Sequence, residues 1–164
     1  MASQKSNRTV LGIDPGKNGG VCAYLNGELT MHKMPETIYD IVALFRVCCS
    51  ECFFQDHQPV AFIENPPISM GPDKGAASVK LHANHGILRG ALVALGYRLE
   101  EPRPQEWQKT FHLGTRSSCA SDTVWKNKLK SEAQRIYPHM KITHSVSDAL
   151  LILTFGLSKL KIEV

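Results

Sequence analysis

No apolar run in the chain approaches the roughly 20 residues that a membrane-spanning helix needs, so no such helix is expected in it. The first residues, M-A-S-Q-K-S-N-R, lack the apolar core of a secretory signal. Cysteine is present but not in pairs: Cys22, Cys48, Cys49, Cys52 and Cys119 make an odd set. Without a signal peptide, that argues against a disulfide-framed secreted fold and for reduced thiols in an intracellular setting, be it bacterial, phage-infected or organellar. After Cys48-Cys49-x-x-Cys52 no second ligand pair follows at zinc-finger spacing, and the cluster lies in an apolar helical stretch, so buried thiols are expected rather than zinc. Charge of one sign is scarcely in excess. With 19 Lys+Arg against 15 Asp+Glu, a net +4 and a pI near 8.8, nucleic-acid binding is permitted but not demonstrated. There is no internal repeat.

What is present suits one domain with one core: 164 residues, 43% of them hydrophobic. Residues 1–8 read as a polar tail and 9–164 as the domain. The chain is organised around T-V-L-G-I-D-P-G-K-N-G-G-V-C-A-Y-L, from Thr9 to Leu25. A short apolar run ends in one carboxylate, Asp14. A Pro-Gly turn and a second apolar run follow, which predicts a β-hairpin. A carboxylate among apolar neighbours is costly unless it is paired or holds a cation. Asp-Pro-Gly is also ordinary turn chemistry, so Asp14 alone leaves both readings open.

Farther on, a strand is expected over 28–34, a helix over 36–54 and a buried strand over 60–64 that ends in Glu64. Residues 66–75 form a Pro- and Gly-rich loop. A helix over 76–95 carries an apolar stripe of Leu81, Leu88, Leu92 and Leu95. Gly86, Gly90 and Ala94 make a bare ridge along it, which implies close approach of another backbone, either the domain's own sheet or a second copy of the chain. A strand over 97–101 and a short helix from Pro104, anchored by Trp107, come next. A helix over 122–136 has Asp122 as a plausible N-cap, and a last helix spans 146–160. Asp148 opens that helix, with His144 four residues ahead on a shared face if the helix starts early. The bland alternatives are a capping box from Ser145-x-x-Asp148 and a surface histidine.

Taken together, V-L-G-I-D-P-G…G-G-V, A-F-I-E-N-P-P and H-S-V-S-D-A-L-L-I resemble the RuvC-like Holliday-junction resolvases, a branch of the ribonuclease-H-like nucleases. The resemblance runs from residue 9 to about 157. It implies an α/β fold with a five-stranded mixed sheet flanked by helices on both faces. It also implies a homodimer that resolves four-way DNA by paired nicks through two-metal phosphodiester hydrolysis, leaving 5′-phosphates. Asp14, Glu64 and Asp148 would hold Mg²⁺, with Mn²⁺ as a substitute, because hard oxygen donors favour such ions. His144 would orient or deprotonate the water, or ligate. The chain departs from the family in two respects: Ser145 stands where many relatives place an acid or His, and a fourth acid is missing.

For DNA contacts the resemblance points to Lys74 on the loop after Glu64 and to Lys109 near the short helix. Lys80, Arg89, Arg116, Lys126, Lys128 and Lys130 are further basic candidates, against a default of solvated charge. Pro67, Ile68 and Met70 are candidate wedges for an open branch point. The resemblance also places the Gly86, Gly90 and Ala94 ridge at a subunit interface. Three competing functions stand beside this one: a fork, flap or RNA–DNA hybrid nuclease, a non-catalytic junction-binding module, and an actin-like ATPase, which the short chain disfavours.

Overall fold

The computed structural model describes residues 8–49, 58–68 and 75–162. A mixed sheet of β1 (Val10–Asp14), β2 (Gly20–Leu25), β3 (Glu28–Lys33), β4 (Val60–Ile63) and β5 (Arg98–Glu100) runs in the order β3-β2-β1-β4-β5. The hairpin strands pair antiparallel, whereas β4 joins β1, and β5 joins β4, in parallel. Asn26 and Gly27 both have positive φ, the backbone of a two-residue turn whose twist matches the flanking strands. All five expected strands form, within a residue or two of their expected ends.

Alternation along the strands sorts the core into two layers. Leu11, Ile13, Val21, Ala23, Ala61 and Ile63 face helices α1 (Ile38–Cys49) and α2 (Gly75–Ala94), where Ile41, Phe45, Leu88 and Leu92 meet them. Val10, Cys22, Tyr24, Val60 and Phe62 face the other way. They pack on α3 (Pro104–Lys109), α4 (Asp122–Ile136) and α5 (His144–Lys159) through Trp107, Trp125, Leu129 and the apolar length of α5. Helices therefore cover both faces, as expected. Leu88 and Leu92 are fully buried, while Leu81 and Leu95 are partly buried. Cys22, Cys48 and Cys49 are buried and Cys119 is partly exposed; Cys52 and the rest of the expected first helix beyond 49 lie outside the described residues. No helix among the described residues is long and apolar enough to cross a membrane.

Glycine decides how closely α5 lies on the sheet. A Cβ on Gly12 of β1 would overlap the backbone of Ala149 and Leu153, and one on Gly20 of β2 would sit 2.7 Å from the Ser145 carbonyl oxygen. The helix therefore crosses β1 and β2 with backbone nearly on backbone, and Asp148 falls between these two contact points.

One expectation needs correction, and two alternatives that the sequence left open are decided. Ser121, not Asp122, caps α4: its Oγ accepts from the Val124 amide at 3.3 Å, and Asp122 instead pairs with Arg116. A serine reaches the third amide of a helix from just outside it, whereas Asp122 already lies inside. Thr143 is the N-cap of α5, with no side-chain capping bond, so Ser145 and Asp148 form no capping box. The ridge on α2 does not pack on the sheet of its own chain. Gly86, Gly90 and Ala94 are exposed, and a Cβ added at either glycine would meet nothing within 4 Å.

Candidate active site

The register of β1 with β4 places two carboxylates together. Val10 pairs with Val60 and Ile13 with Ile63, a constant offset that continues to Asp14 and Glu64. The Glu64 amide donates to the Ile13 carbonyl at 3.0 Å, extending the ladder to that position. By strand alternation Asp14 belongs with Val10 and Gly12, and Glu64 with Val60 and Phe62, so both emerge on the α5 side. The third acid is on α5 itself. That helix starts at His144, early enough to stack His144 one turn ahead of Asp148, with the histidine exposed.

Each carboxylate is tied to local structure. The Gly16 amide donates to Asp14 Oδ1 at 3.0 Å across the tight turn. Gly19 leaves room for that carboxylate, because a Cβ there would lie 2.7 Å from Asp14 Cγ. Trp107 Nε1 donates to Glu64 Oε2 at 2.8 Å. Ser147 Oγ lies 3.0 Å from Asp148 Oδ1, within donating distance, and 3.2 Å from the His144 carbonyl oxygen.

The three acids feel one another. Burial first, then the charges of Asp14 and Asp148, push the Glu64 carboxyl up to about 8, while the Trp107 bond opposes the rise. Asp148 rises to about 6, through burial and then the charge of Asp14, against the Ser147 bond and the cations Lys126 and Arg116. Asp14 is raised by burial, against the Gly16 amide and Lys126. Desolvation plus like charge at one sheet edge leaves negative charge that the protein compensates only in part. The donor set, three carboxylates and no thiol, is chemically suited to a hard divalent ion. Among the described residues, no group of three His, Cys, Asp or Glu side chains stands close enough to hold a metal ion as placed.

Basic residues border the acids. Arg116 lies on the 3-10 turn Arg116–Ser118 and is held to Asp122 through both carboxylate oxygens, Nε at 2.7 Å from Oδ1. Its field reaches Glu64 and Asp148, and that of Lys126 on α4 reaches Asp14 and Asp148. On the other side of the hairpin turn, a cleft of about 940 Å³ is lined in part by Lys17, Lys33, Lys80, Asn18, Asn84 and Ser145. Asn84 Nδ2 donates to the Pro15 carbonyl at 2.6 Å, tying α2 to that turn.

The structure thus brings together Asp14, Glu64 and Asp148, with Arg116 and Lys126 at their rim and Lys80 in the neighbouring cleft. Lys109 is exposed at the end of α3, and Pro67 and Ile68 are exposed after β4. Met70 and Lys74 lie outside the described residues. Trp107 was expected only as the anchor of its helix, and no sequence signal links it to Glu64. Lys17 and Lys33 were missed as well, although Lys17 stands directly after the Asp-Pro-Gly turn.

The fold, a mixed five-stranded sheet with helices on both faces, is that of solved RuvC structures. Two solved structures share the fold. The RuvC of Thermus thermophilus is 16% identical with a TM-score of 0.57, the alignment covering 94% of this chain and 97% of that one. The structure of T. thermophilus RuvC in complex with a Holliday junction substrate aligns at 16% identity and a TM-score of 0.52, over 93% and 96% of the two chains. No protein-family model and no curated sequence matches the chain.

Proposed function

We propose that the protein is a divalent-metal-dependent, structure-selective DNA endonuclease that resolves four-way junctions by paired nicks. The observation that carries this reading is the convergence of Asp14, Glu64 and Asp148, from β1, the end of β4 and α5, on one sheet edge with raised proton affinities. RuvC bound to a Holliday junction substrate has the same fold, which supports the choice of DNA.

In this reading the three acids hold Mg²⁺ or Mn²⁺. When bound, the ions supply Lewis acidity to both the attacking water and the departing 3′ oxygen of an in-line displacement. Asp14 is set by the Gly16 amide, and Asp148 sits beside the Ser147 hydroxyl. His144, exposed one turn ahead of Asp148, takes a proton from the attacking water in this reading. Arg116 and Lys126 attract the phosphate and offset its charge beside the acids. Lys80, with Lys17 and Lys33, guides the neighbouring backbone. Lys109 and Lys74 contact outlying phosphates, and Pro67, Ile68 and Met70 wedge at the branch point.

The test is a panel of labelled four-way junctions, forks, flaps, RNA–DNA hybrids and linear duplex in Mg²⁺. Paired symmetric nicks with 5′-phosphate ends on the four-way junction are expected, at rates at least tenfold above the other substrates. Equal cutting of forks or flaps would reassign the substrate to branched DNA in general. No cutting of any substrate, with junction binding retained, would make the protein a binding module.

Paired nicking requires two sites related by a twofold axis. The exposed face of α2 is the surface for it. Val79 and Val93 lie 70% and 61% exposed on either side of the bare Gly86 and Gly90, and Ala94 continues the ridge. Gly90→Glu is expected to convert a dimer to monomer in sedimentation velocity and to uncouple the two nicks. A wild-type chain that sediments as a monomer at tens of micromolar would remove α2 as the interface.

A further inference from the structure

We infer that Trp107 is a positioning residue for Glu64: its indole N–H fixes one carboxylate oxygen and so holds the other toward Asp14 and Asp148. The inference rests on the nuclease reading above and concerns a residue that touches neither metal nor DNA in it.

Trp107 is fully buried, and its one donor must find an acceptor there. Among the described residues its hydrogen bond is to Glu64 Oε2, at 2.8 Å. The indole is fixed from several sides. Its ring meets Phe111 edge to face at 6.4 Å and belongs to the layer formed with α4 and α5. Its helix opens on Pro104 and is capped by the Glu106 carboxylate, which accepts from the Arg103 amide at 2.6 Å. The backbone of Glu64 is equally constrained. Its own amide bonds to Ile13, and the next amide, of Asn65, donates to the Pro102 carbonyl at 3.0 Å. Donor and acceptor therefore meet between two rigid elements, and the bond restricts the rotamer of a side chain that would otherwise have three free torsions.

The chemistry of the donor is also pointed. A Lys or Arg in this place would fix the carboxylate but neutralise it, and would compete with an incoming cation. A neutral N–H orients the oxygen and leaves the charge available. Carboxylates that ligate metals commonly have such outer partners, and removing one typically weakens metal affinity or activity 10- to 100-fold.

The experiment is a calorimetric titration of the full chain with Mg²⁺, repeated with Mn²⁺, for wild type and Trp107→Phe. Binding of a labelled junction in EDTA and the thermal midpoint are recorded for both. Trp107→Phe is expected to bind either ion about 10- to 100-fold more weakly while binding the junction in EDTA as wild type does. Replacement of Trp107 by 3-benzothienylalanine, which keeps the ring and lacks only the donor, is expected to do the same; it stands in should the phenylalanine variant not fold. The Trp107 indole proton resonance, assigned by comparison with Trp125→Phe, should move on Mg²⁺ addition in wild type. Unchanged Mg²⁺ affinity in the folded donor-less protein overturns the positioning role and leaves the nuclease reading intact. A wild-type chain with no Mg²⁺ binding at all overturns both.

Discussion

Asp14→Asn, Glu64→Gln and Asp148→Asn are each expected to lower junction nicking in Mg²⁺ on the order of 10³-fold while leaving junction binding in EDTA within about twofold. The scale is that of losing one ligand of the ions that stabilise the charge developing in the transition state. Each substitution keeps the shape of the side chain and deletes one charge, so binding by the bordering cations is untouched. Effects should not add, because the three acids act as one cluster, and a double variant should be little slower than a single one. The three variants should also be more heat-stable than wild type in EDTA above pH 7, because each relieves repulsion among buried carboxylates. That gain separates lost chemistry from lost fold. Any one of the three nicking at near wild-type rate would remove that residue from the site.

In the absence of divalent ions, the stability of the wild-type chain should fall as pH rises from about 4.5 to about 8, the reverse of the usual acid lability. The sign follows from the proton count. Glu64 has an ordinary value of 4.5 and is pushed up to about 8 in the folded protein, and Asp148 moves from 3.8 to about 6. Below about pH 6 both hold protons in the native state that the unfolded chain has released, and from there to about pH 8 Glu64 alone does, so stability falls with pH throughout that window. At about 1.4 kcal/mol per unit, a few kcal/mol are at stake. For a chain of this length that is about 10 °C in the thermal midpoint. Melting curves from pH 5 to 8.5 in EDTA should show the decline. Mg²⁺ should flatten it by neutralising the cluster, and Glu64→Gln should remove much of it without metal. A wild-type midpoint that rises from pH 5 to 8 in EDTA would mean that the acids are compensated in the apo protein and are not poised for a cation.

Much of this site is legible along the chain because it is written in strand ends. Asp14 and Glu64 each terminate an apolar run, and a turn signal, Pro-Gly in one case and Asn-Pro-Pro in the other, marks where the sheet stops. Their separation of 50 residues equals the register offset between β1 and β4, but only pairing converts that number into proximity. Asp148 is legible as an acid near the start of a helix. The N-cap of that helix is not, because Thr143 and Ser145 are both plausible and the outcome depends on how α5 seats over Gly20. The cap of α4 was misplaced by one residue for a similar reason, since Ser121 and Asp122 are both good caps in isolation and the bond from Arg116 draws Asp122 away.

By itself the sequence determined the order and kind of the elements and marked Asp14, Glu64 and Asp148 as acids at strand and helix ends, because periodicity, turn residues and hydropathy are local properties. Tertiary structure alone decided the rest. It showed which side of α2 its glycines occupy, that Gly12 lets α5 rest on the sheet, and that Trp107 reaches Glu64 across 43 residues. Each of these depends on where two distant segments come to lie, and nothing local to either segment encodes the distance between them.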